Sequence, residues 1–248
     1  MKQWYQWMAL EYFFKRSAPY GAYCLIGGMI VMVTAVLWGG FLTPPDVQQG
    51  EAYRMIYMHV PCAAGGMVVY AGISIAALIH WVWRIKLADV CMTAFVPVGA
   101  VLTALALGSG SIWGRPMWGA WWVWDARLTS CLILLCLYLG LMALRQSISD
   151  GTQAARVCAW VTLIGALDLP IIHYSVNWWN TLHQPATMLA FKAPSIDASM
   201  LWPLLLSLFG MALWCIGLGL IRMRTLIIMR YRHLSWVQRY LGGIDAAC

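Results

Sequence analysis

Charge is what this sequence has least of. Only 10% of its 248 residues are charged, 16 basic and 9 acidic, while 62% are apolar. A soluble domain carries roughly a quarter charged residues, so these few cannot clothe a free globule in water. Cysteine pairs are also missing. No C-x-x-C spacing occurs among the eight cysteines, which excludes a zinc ribbon, a dithiol redox pair and the C-x-x-C-H site of a c-type cytochrome. Seven of them (Cys24, Cys62, Cys91, Cys131, Cys136, Cys158, Cys215) fall in or beside apolar blocks and read as small hydrophobes; Cys248 is the last residue. There is no G-x-x-x-x-G-K-[ST], so no P-loop nucleotide chemistry is expected of this chain.

What is present is long apolar runs. Six blocks reach the roughly 20 residues that a helix needs to cross a bilayer: Ala22–Leu42, Met55–Trp83, Val90–Leu107, Leu128–Leu144, Val157–Ser175 and Met200–Ile221. The expected fold class is an all-α integral membrane protein, one six-helix transmembrane domain over residues 1–248. Met1–Tyr20, aromatic, mixed in charge and without a cleavage-site pattern, reads as an interfacial helix. Residues 222–248 form a basic tail. The net charge of +7 flanks the apolar blocks, which suits membrane anchoring better than nucleic acid.

Orientation follows from the basic residues. Twelve (Lys2, Lys15, Arg16, Arg84, Lys86, Arg145, Arg156 and five arginines of the tail) fall on one side of the predicted spans. Four (Arg54, Arg115, Arg127, Lys192) fall on the other. The positive-inside rule then predicts cytoplasmic termini and, in a bacterial inner membrane, a periplasmic sparse side.

The unusual residues collect on that sparse side. Trp113, Trp118, Trp121, Trp122 and Trp124 fall within the twelve positions that precede Asp125, five of the chain's 16 tryptophans. Indoles favour membrane interfaces, so an exaggerated belt accounts for some of them. Five in a loop with Gly114, Pro116 and Gly119 also suit a platform for a large flat ligand. His59 lies five residues after Arg54, about 8 Å along a helix that starts at the outer surface. His183 lies in the next outer loop, beside Trp178 and Trp179. Two imidazoles and an aromatic cradle suit haem; zinc would need more N, S or O ligands.

The other polar residues are less telling. His80 follows Arg54 by 26 residues, about 39 Å along a helix, and belongs at the cytoplasmic end. His173 could line the outer site, but Pro170 leaves its direction open. His233 reads as a surface residue. Asp168, the carboxylate expected within a span, could pair with His173. Arg54, Arg115 and Arg127 could hold haem propionates or lipid headgroups. Asp125, of the wrong sign for a propionate, would fix an indole N–H or an arginine, or meet a basic partner.

Three stretches carry a resemblance: Y-R-M-I-Y-M-H-V-P (Tyr53–Pro61), W-G-R-P-M-W-G-A-W-W-V-W-D-A-R-L-T-S (Trp113–Ser130) and L-P-I-I-H-Y-S-V-N-W-W-N-T-L-H-Q (Leu169–Gln184). From first span to last, the chain resembles the haem-handling membrane proteins with a tryptophan-rich WWD motif, and among them the haem exporter C proteins of system I cytochrome c maturation. The resemblance implies that His59 and His183 are axial to haem iron, with haem b as transient cargo. It implies delivery to a membrane-tethered periplasmic haem chaperone, the E component, which attaches haem covalently through its own histidine. Partners implied are ATP-binding cassette A and B subunits and a small single-span D subunit, with any ATP hydrolysis left to them. The chain itself would be a transfer and assembly protein, not an enzyme. Cytochrome c synthases share the motif but are larger, with more spans and a second histidine pair.

Two alternatives come from other classes. A bis-histidine membrane cytochrome b would usually bury its histidines on facing helices, whereas His183 falls in a loop. A small-solute permease is disfavoured because no discontinuous span with paired polar residues stands out.

Overall fold

The computed structural model describes residues 9–179, 181–183 and 196–245. Met1–Met8, Lys192 and Cys248, placed above from the sequence, lie outside them. The described chain is helical with no strand. Its helices are α1 (Leu10–Phe41), α2 (Ile56–Trp83), α3 (Lys86–Trp118), α4 (Ala126–Ser147), α5 (Gly151–Gly165), α6 (Asp168–Trp178), α7 (Ala198–Tyr231) and α8 (Ser235–Asp245). A short 3-10 helix, Glu51–Met55, leads into α2. Taking α5 with α6, six units are long and apolar enough to cross a membrane, as the sequence predicts. A helix suits lipid because it satisfies its backbone hydrogen bonds internally.

The helices outrun the apolar blocks. Residues 10–20 are not a separate interfacial helix: α1 begins at Leu10 and continues through Pro19. The basic segment Arg222–Arg230 likewise lies within α7. More important for function, α3 runs through Trp118, so Trp113 and Trp118 sit on helical turns and only the residues after Trp118 form the loop. Gly119 ends α3 with φ +74°, a left-handed conformation that a glycine adopts without a Cβ penalty.

The fifth span is discontinuous, contrary to the expectation from sequence. It breaks at Ala166–Leu167, where Leu169 N–H bonds to the Ala166 carbonyl in a tight turn. Pro170 explains the break, since it has no N–H and its ring crowds the carbonyl four residues back. Asp168 begins α6 and is buried; its Oδ2 has no hydrogen-bond partner among the described residues, and no bond to His173 forms. No second span among the described residues is broken, whereas transporter sites are usually built from paired breaks.

α2 to α7 enclose the main core, which includes Tyr70, Leu102, Leu134, Tyr138 and Ile172. Tyr138 donates to the Gly66 carbonyl at 2.7 Å across that core. α1 stands apart and packs mainly on α7. Their backbones touch: a Cβ on Gly28 would lie 2.4 Å from the Trp214 nitrogen, and one on Gly217 would lie 2.3 Å from that of Leu25. Small residues that admit this approach are the usual means of association between helices in lipid.

Candidate functional site

At the tryptophan end lies a cavity of about 290 Å³. The 3-10 helix, α2, α3, α4, α6, the start of α7 and the loop carrying His183 all contribute to its wall. His59, His183, Trp113, Trp118, Arg127 and His173 line it. Residues 124 positions apart in sequence are thus brought to one chamber.

His59 stands on the first turn of α2, facing α3. Its Nδ1 lies 3.1 Å from Ser109 Oγ. That hydroxyl donates to the Leu105 carbonyl at 2.7 Å, so its oxygen can accept from a His59 Nδ1–H. Nε2 then carries the lone pair. Gly110 makes room for the ring, for a Cβ there would sit 2.9 Å from His59 Cε1. The Trp113 ring meets the imidazole edge-on at 5.6 Å. Trp113 is held in turn by its Nε1–H, which donates to Gln49 Oε1 at 3.0 Å. Gln49 is fixed because Asp46 Oδ1 accepts its backbone N–H at 2.8 Å.

His183 is built in the same way from different elements. Its Nδ1 lies 3.3 Å from Asp125 Oδ2, and the carboxylate can only accept, so Nδ1 carries the proton and Nε2 the lone pair. Asp125 Oδ1 also accepts the Leu128 N–H at 2.8 Å and so caps α4. Among the described residues Asp125 bonds to no indole or arginine, two of the three roles expected of it; it acts as helix cap and histidine anchor. Burial holds the His183 imidazole below its ordinary pKa of 6.5; Asp125 pulls the other way, and Arg127 adds to the lowering. The neutral form, which can bind a metal, is thereby favoured. Trp118 flanks the ring at 4.8 Å.

Of the three candidate arginines, only Arg127 lines the cavity, and one of its terminal nitrogens is buried without a hydrogen-bond partner among the described residues. Arg54 is used elsewhere: it pairs with Glu51 and donates to the Gly40 carbonyl at 2.7 Å, closing the end of α1. Arg115 donates to the Gly119 carbonyl at the end of its own helix. The five tryptophans do not share one wall either. Trp122 is partly buried, its Nε1 unpartnered among the described residues, while Trp121 and Trp124 are 59% and 76% exposed. Trp178 and Trp179 are also exposed, and Trp178 stacks on Tyr174 at 5.4 Å.

His173 does line the cavity, which Pro170 had left open. His80 is buried at the far end, with Nδ1 3.1 Å from the Ile85 carbonyl. Ser109, Gly110 and Gln49 escaped the sequence reading. They act only through their neighbours, and the G-S-G run at Gly108–Gly110 is a weak sign of close approach. Among the described residues, no cluster of three or more His, Cys, Asp or Glu could hold a bare metal ion.

Residues 3–238 match the sequence profile described as Heme exporter protein C. Heme exporter protein C of Escherichia coli K12 is 47% identical over 216 residues, 87% of each chain. That of Bradyrhizobium diazoefficiens is 48% identical over 215 residues, 86% of this chain and 82% of its own. The Paracoccus denitrificans protein of the same name is 38% identical over 224 residues, 90% and 92%. Identity at this level along nearly the whole chain means that it belongs to the haem exporter protein C family.

Proposed function

We propose that this protein holds haem as cargo in the tryptophan-end cavity, with His59 and His183 axial to the iron, and passes it to a periplasmic haem chaperone for cytochrome c biogenesis. The observation that carries this is the matched pair of histidines. Each lines the same cavity, and each has its Nδ1 anchored by an oxygen (Ser109 or Asp125) that leaves Nε2 free to ligate. Such outer contacts orient ligating imidazoles and raise their basicity. Arg127 offers a buried, unpartnered nitrogen for a propionate. Trp113 and Trp118 supply apolar wall at low rotamer cost.

The exposed Trp121 and Trp124 suit contact with the chaperone rather than with haem, and Trp178 and Trp179 suit the membrane interface. With no P-loop in the chain, ATP would be used only by A and B subunits of an export complex with the small D subunit. The excess of basic residues at the opposite end favours an inner-membrane orientation with the cavity facing the periplasm.

The test is to purify the full chain from membranes and measure bound haem and its absorption spectrum. His59→Ala and His183→Ala are expected to lower retained haem, with partial recovery in added imidazole. His80→Ala is expected to leave haem in place, and the reverse pattern would overturn the assignment. Covalent haem–chaperone product in the same membranes measures delivery.

A further inference from the structure

At the end opposite the haem cavity lies a second chamber, of about 770 Å³, lined by five cations (Arg84, Lys86, Arg145, Arg156 and Arg230) and one carboxylate, Asp89. Asp89 is buried and organises two of them. It takes Arg145 in a bidentate pair at 2.9 and 3.0 Å, and Arg230 at 3.0 Å. Three helices (α3, α4 and α7) are thus clamped by one side chain. The clamp leaves the positive charge in large excess. Arg84, Lys86 and Arg156 are exposed, and none has a carboxylate partner among the described residues.

Directly beside it, with Arg145 as a shared wall, a cleft of about 180 Å³ runs between α3 and α4. Its lining is mostly apolar, with Met92, Val96, Pro97, Leu141 and Met142, and Thr93 and Gln146 add two polar side chains. Arg222 also lines this cleft, and its Nε donates to the Ala94 carbonyl at 2.9 Å. A basic basin joined to an apolar slot matches a molecule with an anionic head and a hydrocarbon tail.

We propose that this end of the protein binds one anionic phospholipid, its phosphate in the cationic chamber and an acyl chain in the α3–α4 cleft. Basic pockets between transmembrane helices at headgroup depth take such lipids. A free phosphate would satisfy the chamber but would have no use for the slot. A zwitterionic lipid could fill the slot, but its ammonium group would meet the cations.

The experiment is native mass spectrometry of the full-length protein, released from detergent after incubation with phosphatidylglycerol or with phosphatidylcholine of the same chains. Preferential retention of phosphatidylglycerol is expected. Each exposed cation near a headgroup contributes about a fivefold factor in affinity, so the double variant Arg84→Gln/Arg156→Gln should bind roughly 25-fold more weakly. Neither residue touches Asp89, so thermal unfolding of the variant should match that of the parent. Arg232→Gln, an exposed site that does not line the chamber, serves as the control and should leave retention unchanged. Equal retention of the two lipids would overturn the proposal. So would a loss with Arg232→Gln as large as with the double variant, because attraction would then be diffuse. Displacement of the lipid by equimolar inorganic phosphate would show a free-anion site and overturn it as well.

Discussion

Replacing Asp125 separates two functions that one carboxylate performs. Its Oδ1 caps α4 through the Leu128 N–H, and its Oδ2 anchors His183 Nδ1. Asp125→Ala removes both. Loss of a cap costs about 1 kcal/mol of stability. Loss of an outer-shell partner of a ligating histidine costs roughly 10- to 100-fold in affinity for the metal centre. The Asp125 side chain is only 5% exposed and that of His183 21%, so solvent screens this contact little. Asp125→Asn has one oxygen where the carboxylate has two. Kept on the Leu128 N–H, that oxygen preserves the cap, and the NH2 group then faces His183 Nδ1 as a donor. This favours the tautomer with the proton on Nε2 and takes away the ligating lone pair. Asn is therefore expected to unfold at nearly the parental temperature yet to bind haem as weakly as Ala, while Ala loses on both counts. Haem titration followed by absorbance, with thermal unfolding of the same samples, resolves the two effects. An Asp125→Ala protein with parental haem affinity would refute the anchoring role, whatever its stability.

Arg127→Gln should leave stability nearly unchanged, because a terminal nitrogen of the arginine has no partner to lose, while haem affinity falls tenfold or more through loss of a charge-assisted bond. An equal loss for mesohaem and for its dimethyl ester would refute the propionate contact. Gly110→Ala places a Cβ 2.9 Å from His59 Cε1, so the ring must turn from Ser109; a changed haem spectrum with little change in unfolding temperature is expected. Haem retention should depend on pH in a set direction. Ligation needs neutral His183, whose pKa is held below 6.5, so binding persists through that pH and is lost only below it. In Arg127→Gln the midpoint should move up, because one of the lowering influences is gone, and a midpoint that moves down would contradict that electrostatic role.

Six spans were legible in the sequence because a bilayer imposes a length and a composition, and both are local properties of the chain. The shared end of His59 and His183 was legible for a related reason: in a serpentine of spans, counting basic residues sorts every loop to one side or the other. Helix ends were not legible. Nothing in the residues from Ser111 to Trp118 marks where lipid stops, and α3 continues because its backbone bonds persist past the apolar block. The choice among Arg54, Arg115 and Arg127 was equally hidden, since three guanidiniums on one face look alike until packing commits two of them to carbonyls. Asp125 and His183 are 58 residues apart, and no periodicity links them. Apolar pattern and charge asymmetry, summed along the chain, decide that it spans a membrane and which end carries the histidines. Which atoms face one another inside that end depends on how six helices close on each other, and only the tertiary structure decides it.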